Sequence, residues 1–304
     1  MLNCDQYLTP QTLDEAFDLM EAHRGGCRLV AGATDLLPWA RDGRAGDVHY
    51  DALIDISRIP DLQGVSAGGG NLSIGAATVF QRFMTDPVLR NHAPVMPHVA
   101  VWFADNQLRE SATIGGNIIN ASPAADGTPG LMCMNGAVVL NSRSSGERRM
   151  SITDFILGPG ETDLRDEEIL CRIECESTED FGASFQKVGH RRSLVISTVC
   201  LATLVKIDAD TGCFTDVRLT LAGTGPIPVR LGECEEALIG KPVSTDLIEE
   251  VAHLPVNRVQ SRTRQDYRRE VVVNFVRRGL IEALRSLGLD LEETMDFTGE
   301  AAHG

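Results

Sequence analysis

No two cysteines in this sequence are spaced C-x-x-C, no apolar run approaches the length of a bilayer span, and positive charge is scarce. Each shortage excludes something. The eight cysteines are scattered, and the closest two, Cys171 and Cys175, fall four apart in a segment that reads as a strand. That arrangement puts both on one face but well separated, which argues against a zinc or iron–sulfur site in this chain. Scattered thiols of this kind are expected reduced and mostly buried. With 28 Lys and Arg against 43 Asp and Glu, the net charge is -15, so nucleic-acid binding through a basic face is disfavoured. A bilayer-crossing helix needs about 20 consecutive apolar residues, and none is expected here. The start, MLNCDQYLTP, has no basic segment leading into an apolar one, so no signal peptide is expected and the protein is expected in the cytoplasm. A G-x-G-x-x-G turn is also missing, which argues against a dinucleotide-binding Rossmann unit. No Ser-His-Asp or Cys-His arrangement suggests itself.

What is present is a stretch with no helical or strand period, Gln107 to Asp126, QLRESATIGGNIINASPAAD. Adjacent glycines let the backbone take positive φ and let a ligand approach main-chain N–H groups. Successive inward N–H groups form an anion nest. Thr113, Ile114, Gly115, Gly116 and Asn117 are therefore read as an anion-binding turn, with Thr113 and Asn117 adding side-chain donors. Ser122 and Asp126 are candidates to hold sugar hydroxyls. A second small-residue loop lies far upstream: Leu29, Val30, Ala31, Gly32, Ala33, Thr34, Asp35 and Leu36. One such loop can hold one phosphate, and two from separate parts of the chain can hold a pyrophosphate between them. An acidic protein must grip such an anion with backbone dipoles, neutral donors and a few placed cations.

Around these loops the periodicity predicts a helix through Leu13, Ala16, Phe17 and Met20, closed by Gly25-Gly26. A short strand over Cys27 to Ala31 follows, then a strand within Val48–Ile56 and a hairpin over Gly64–Ala76. Helix is expected from Thr78, acting as cap, to Met84, and again from Pro87 to about Ala104. Strands are expected near Gly136–Ser142, Arg148–Ile152, Ile169–Cys175, Ala183–Val188, and through the apolar stretch Leu194–Asp208 to Val217–Leu221. Glu176–Asp180 reads as a domain boundary. Gly223-Thr224-Gly225-Pro226 reads as a rigid connector because of its prolines. Arg258 to Arg278 is the one basic region. It reads as a solvated amphipathic helix with Val272, Phe275, Val276 and Leu280 on its apolar face, the other reading being a dock for an acidic partner.

The two loops together resemble the flavin subunits of molybdenum hydroxylases, the xanthine, carbon monoxide and nicotinate dehydrogenase group. That family carries an AGGTDL-like loop near its start and a QIRN-x-ATIGGNI-x-x-ASPAAD-like stretch in the middle. Further matches are GPGETDLRDEEIL at 158–170, the Lys187-Val188-Gly189-His190-Arg191-Arg192 run, and the Tyr267-Arg268-Arg269 helix. Two positions depart from the pattern and are the hints towards a flavin-less subunit: Ala33, which demands a more ordinary φ than the usual glycine, and Phe185, where many relatives have tyrosine. The resemblance implies an α+β fold. Its first part would be a two-lobed FAD-binding domain of the PCMH, vanillyl-alcohol-oxidase-like type (1–176, lobes about 1–57 and 58–176). A smaller α+β domain (177–288) and a flexible tail (289–304) would follow. It implies FAD in this chain, with Phe103 against the flavin ring and the Leu170 backbone touching it. Lys187, otherwise a surface lysine, would be a cation near the pyrimidine edge or a phosphate. It implies no catalytic acid or base and no metal in this chain. The expected partners are a small [2Fe–2S] subunit and a large molybdopterin subunit, in a heterotrimer or its dimer. Electrons would pass through FAD to NAD or another acceptor during oxidation of an N-heteroaromatic or purine. A free-standing FAD-dependent reductase and a flavin-less assembly subunit are the alternatives.

Overall fold

A computed structural model describes residues 2–43, 48–191, 194–261 and 263–291 of the 304. Arg192 and Arg262 of the two basic runs lie outside the described residues, as does all of the expected tail beyond 291.

The fold is mixed helix and sheet, and the chain order explains it. Strand β1 (Leu2–Leu8) leads into helix α1 (Leu13–Ala22), whose first turn is closed by Thr12 accepting from the Glu15 amide while the Glu15 carboxylate accepts from Gln11 N–H. The helix buries Ala16, Phe17 and Met20, as its period predicts. Strand β2 (Cys27–Val30), short helix α2 (Leu36–Arg41) and strand β3 (Val48–Asp55) follow. The three strands form a parallel sheet in the order β1-β3-β2. A second, antiparallel sheet begins with the hairpin β4 (Val65–Gly68) and β5 (Asn71–Gly75). A run of short helices then crosses over: α3 (Arg82–Thr85), α4 (Pro87–His92), α5 (Val95–Trp102), α6 (Asn106–Arg109), α7 (Ile114–Ile119) and α8 (Gly127–Cys133). Strands β6 (Ala137–Ser142) and β7 (Gly146–Ser151), helix α9 (Ile152–Phe155), the small hairpin β8 (Ile156–Gly158) and β9 (Glu161–Thr162), and strand β10 (Ile169–Glu176) complete this part. The sheet order is β4-β5-β10-β6-β7.

Two expectations here need correction. Helix does not start at Thr78. The 76–80 segment turns at Ala76–Ala77 and pairs with 112–115 around an isolated bridge from Val79 to Thr113: Gly115 N–H donates to Ala76 O, Ile114 N–H to Thr78 O, and Phe80 N–H to Ala112 O. Tertiary pairing has overridden the local signal, and helix resumes only at Arg82. Nor does one helix run from Pro87 to Ala104. Pro94 lacks an N–H and disfavours helical backbone at Ala93, so the segment divides into α4 and α5.

The third sheet has the order β11 (Gly182–Val188), β12 (Val199–Ile207), β13 (Phe214–Ala222), β14 (Val229–Arg230). Helices α10 (Gly232–Leu238), α11 (Thr245–Ala252) and α12 (Gln265–Ser286) cover one face. Strand β12 shows why its sequence is apolar throughout: Val199, Leu201 and Val205 face those helices, whereas Cys200, Ala202 and Leu204 join the core built by Leu131, Cys133 and Val138. The sheet is thus buried on both faces, and one hydrophobic core runs across the 177–181 link. Along α12 the arginines are already paired, Arg277 with Glu249 and Arg278 with Glu282, while Arg268 donates to the carbonyls of Thr198 and Gly223. This matches the amphipathic-helix reading and leaves little of the helix's charge for an acidic partner.

A buried charge cluster closes the end of the second sheet. Arg148 holds Glu168 at 2.6 Å and Asp163 at 2.6 Å. Burial alone would push the Glu168 carboxyl up, but Arg148 and the Arg165 amide outweigh it and hold the group below the usual glutamate range. A depressed folded-state value stabilises above the ordinary glutamate pKa, and that stabilisation is lost as pH falls. We therefore expect the urea midpoint to drop between pH 6 and pH 4, and the E168Q variant to show a flatter drop.

Candidate functional site

The first loop leaves β2 at Val30 and ends on α2. Gly32 passes so close to the 111–112 backbone that a Cβ on it would lie 2.0 Å from the Ser111 carbonyl oxygen. The two loops, distant in sequence, therefore meet. Among the described residues, the amides of Gly32, Ala33, Thr34, Asp35 and Leu36 have no recorded acceptor within the chain. Gly32 to Leu36 are half-buried or exposed, so five consecutive donors at one bend are open to water or to an anion. Asp35 keeps an exposed edge, yet loss of water around its carboxyl pushes it above the usual range.

Ala33 sits at φ 52, the left-handed conformation that glycine would supply. Alanine was expected to demand a more ordinary φ, and that expectation is corrected: the bend keeps its shape and the residue carries the strain. Left-handed non-glycine backbone concentrates at functional sites. Three of the six such residues described, Ala33, Ala104 and Ala121, fall in or beside segments expected to contact the ligand. We expect A33G to stabilise the protein by about 1 kcal/mol, since the relieved strain exceeds the added chain entropy. A thermal melt should show a rise of about 2–4 °C.

The second loop differs from expectation. Thr113 to Asn117 does not form an open nest. Thr113 caps α7, its hydroxyl accepting from the Gly116 amide at 3.1 Å. The amides of Ile114 and Gly115 are bonded to the 76–78 segment, and that of Asn117 to Thr113 O. Four of the five backbone donors are thus satisfied inside the chain. The glycines serve close packing instead: a Cβ on Gly115 would lie 2.7 Å from Ala76 and 2.9 Å from Leu170 Cδ2. This places Leu170, buried in β10, against the turn. The side-chain oxygens Asn117 Oδ1, Thr78 Oγ1 and Thr128 Oγ1 are buried without a partner. Such orphans are open to a partner from outside the chain, water or ligand.

The remaining candidates form a second group. Asp126 and Lys187 are 6% and 9% exposed and bonded to each other at 2.5 Å. Ser197 Oγ donates to the other Asp126 oxygen at 2.6 Å, and Lys187 Nζ also donates to Trp102 O at 3.2 Å. Burial pushes the Asp126 carboxyl up, and Lys187 and Ser197 oppose it. The surface-lysine reading of Lys187 is therefore corrected. The separate roles expected for the two residues, acceptor for sugar hydroxyls and cation for the ring, are tempered because each neutralises the other. Ser122 accepts from the Ala124 amide at 3.3 Å, and the neighbouring Pro123 carbonyl accepts from Gly223 N–H. Phe103 follows α5 and stacks on Phe80 with centroids 3.8 Å apart.

Sequence reasoning missed Phe80, Ser197 and the Gly32–Ser111 contact. The first two carry no local signal. The Thr113 cap was legible, since threonine three residues before Gly116 is an N-cap pattern.

Loops that meet, a row of free amides and orphaned polar oxygens fit a dinucleotide cofactor with a diphosphate, and the comparisons specify which. The chain belongs to the flavin-binding family of molybdenum-dependent dehydrogenases and is an oxidoreductase component. The family described as "FAD binding domain in molybdopterin dehydrogenase" matches residues 3–175, and "CO dehydrogenase flavoprotein C-terminal domain" matches 184–283. Among relatives, it is 30% identical over 271 residues to the glyceraldehyde dehydrogenase medium chain of Sulfolobus acidocaldarius, covering 88% of this chain and 93% of that one. It is 28% identical over 293 residues to the nicotinate dehydrogenase FAD-subunit of Eubacterium barkeri, covering 93% and 97%. The structure superimposes on a carbon monoxide dehydrogenase chain from Hydrogenophaga pseudoflava with TM-score 0.84 and 25% identity, covering 92% and 97%.

Proposed function

We propose that this chain is the FAD-carrying electron-transfer subunit of a molybdenum hydroxylase. It would receive electrons from [2Fe–2S] clusters on a small partner subunit and pass them to NAD or another acceptor. The molybdopterin centre and the substrate pocket would sit on a large partner, in a heterotrimer or its dimer in the cytoplasm, acting on an N-heteroaromatic or purine. Bound FAD supplies the redox chemistry, accepting electrons singly and releasing them as a pair. The chain's own residues bind and orient. The amides of 32–36 would hold the diphosphate, the 113–117 turn would pack beside it, and Ser122 and Asn117 would face hydroxyls. Phe103 and Leu170 would flank the ring, while the Asp126–Lys187 pair fixes the C-terminal domain over it. On this reading 1–176 is the two-lobed PCMH-type domain and 177–288 its cover.

The observation that carries the reading is the run of amides at Gly32–Leu36, open to a ligand and without an acceptor among the described residues, where the two loops touch. The left-handed φ of Ala33 removes one of the two hints of a flavin-less subunit, and Phe185 is the one that is left. Among the described residues no helix is long and apolar enough to cross a membrane. A visible absorption spectrum tests the reading: the purified chain should show a flavin band or take up added FAD to one equivalent. A colourless chain that takes up none would remove it.

A further inference from the structure

The charged side chains buried to nine-tenths among the described residues are Arg109, Asp126, Glu168, Lys187 and Arg218. Four have an opposite charge in contact: Asp126 with Lys187, Glu168 with Arg148, and Arg218 with Asp216 and Glu176. Arg109, 8% exposed, has no carboxylate partner among the described residues. Its Nη1 donates to the carbonyls of Phe103 at 2.8 Å and Ala100 at 3.2 Å, its Nη2 donates to Asn106 Oδ1, and its Nε is buried with no partner. Those carbonyls belong to the C-terminal end of α5, which offers about half a unit of negative charge. Among the described residues no carboxylate forms an ion pair with it; the Asp105 carboxylate, which lines the same cleft, accepts from the Leu108 amide instead. A buried cation is normally paired, and this chain has 43 acidic residues from which to pair it.

Its backbone lies close to the place where the two loops meet. Arg109 precedes by two residues Ser111, whose carbonyl meets Gly32, and two residues span at most about 7 Å. It also lines an open cleft of about 520 Å³ with Trp102, Asp105 and Gln107. The second loop's amides are engaged inside the chain, so the two loops hold fewer free backbone donors than two nests would. We propose that Arg109 is the buried counter-charge of the FAD diphosphate, acting through space. This rests on the FAD reading above. At a separation on the order of 10 Å in protein, one charge still acts strongly enough to change affinity about tenfold.

The test compares FAD dissociation constants, by flavin fluorescence quenching on the full chain stripped of flavin, for wild type, R109Q and R109K. The wild type must bind FAD; if it does not, the FAD reading itself fails, which is a separate result. R109Q should bind FAD at least tenfold more weakly. R109K, which keeps the charge but not the planar fork that grips three oxygens, should stay within about threefold of wild type. Equal losses in both variants would make Arg109 only a helix cap and overturn the proposal, as would R109Q binding like wild type. An unchanged FAD affinity with a lowered flavin midpoint potential in R109Q would place the charge on the ring instead and likewise overturn it. Should R109Q not fold, R109H serves: its FAD affinity should rise as pH falls from 8 to 5.5 relative to wild type, and a parallel pH profile would refute the charge role.

Discussion

Replacing Gly32 with alanine should cost this protein its flavin. The added methyl group would sit 2.0 Å from the Ser111 carbonyl oxygen and 2.7 Å from its carbon, and both are backbone atoms that cannot swing aside. The first loop must then lift off the second, and the free amides of 32–36 lose their aim. Each hydrogen bond to a charged group contributes about 1.5–3 kcal/mol, so losing two weakens FAD binding a hundredfold or more. Gly64 provides the control, because a Cβ there meets nothing within 4 Å and its φ is ordinary. G64A should keep wild-type flavin content. Flavin absorbance per protein after gel filtration reads both variants, and a G32A protein that stays fully loaded would show that the loops need not touch.

Replacing Lys187 with methionine should be the most destabilising single change at the domain junction. It leaves the Asp126 carboxylate buried with Ser197 as its remaining side-chain partner. Breaking one side of a buried pair costs about 3–5 kcal/mol, whereas replacing both partners with neutral groups is close to harmless. The double variant K187M/D126N should therefore recover most of the loss in a urea melt. The pH dependence has a definite sign. Burial already raises the Asp126 value above that of the unfolded chain, and removing Lys187, which opposes the rise, raises it further in K187M. Such a group stabilises while protonated and loses that contribution as pH rises through its folded value. K187M should thus lose stability between pH 4 and pH 7 relative to wild type. A double variant as unstable as the single one would mean that the pair itself, and not the orphaned charge, sets the cost.

These two sites show what a sequence discloses. The Gly32 bend was legible because small residues and glycines declare a backbone need locally. The strands were legible for the same reason, through their apolar runs. Contacts between remote residues were not. Asp126 and Lys187 are 61 positions apart, and nothing in either neighbourhood says that they neutralise each other. The nest at 113–117 misled because open amides and bonded ones have the same sequence; only the return of 76–80 against it decides between them. Ala33 misled in the opposite sense, since a residue type signals a preferred φ and the surrounding fold can impose another.

The central claim is that the backbone donors of 32–36 hold the diphosphate of FAD. Hydrogen–deuterium exchange on the full chain, with and without FAD, addresses those donors directly. Exchange across Gly32–Leu36 should slow markedly when FAD is bound, while Ile114 and Gly115, already bonded within the chain, should change little. A fully loaded protein in which 32–36 exchange as fast as in the flavin-free chain would contradict the account.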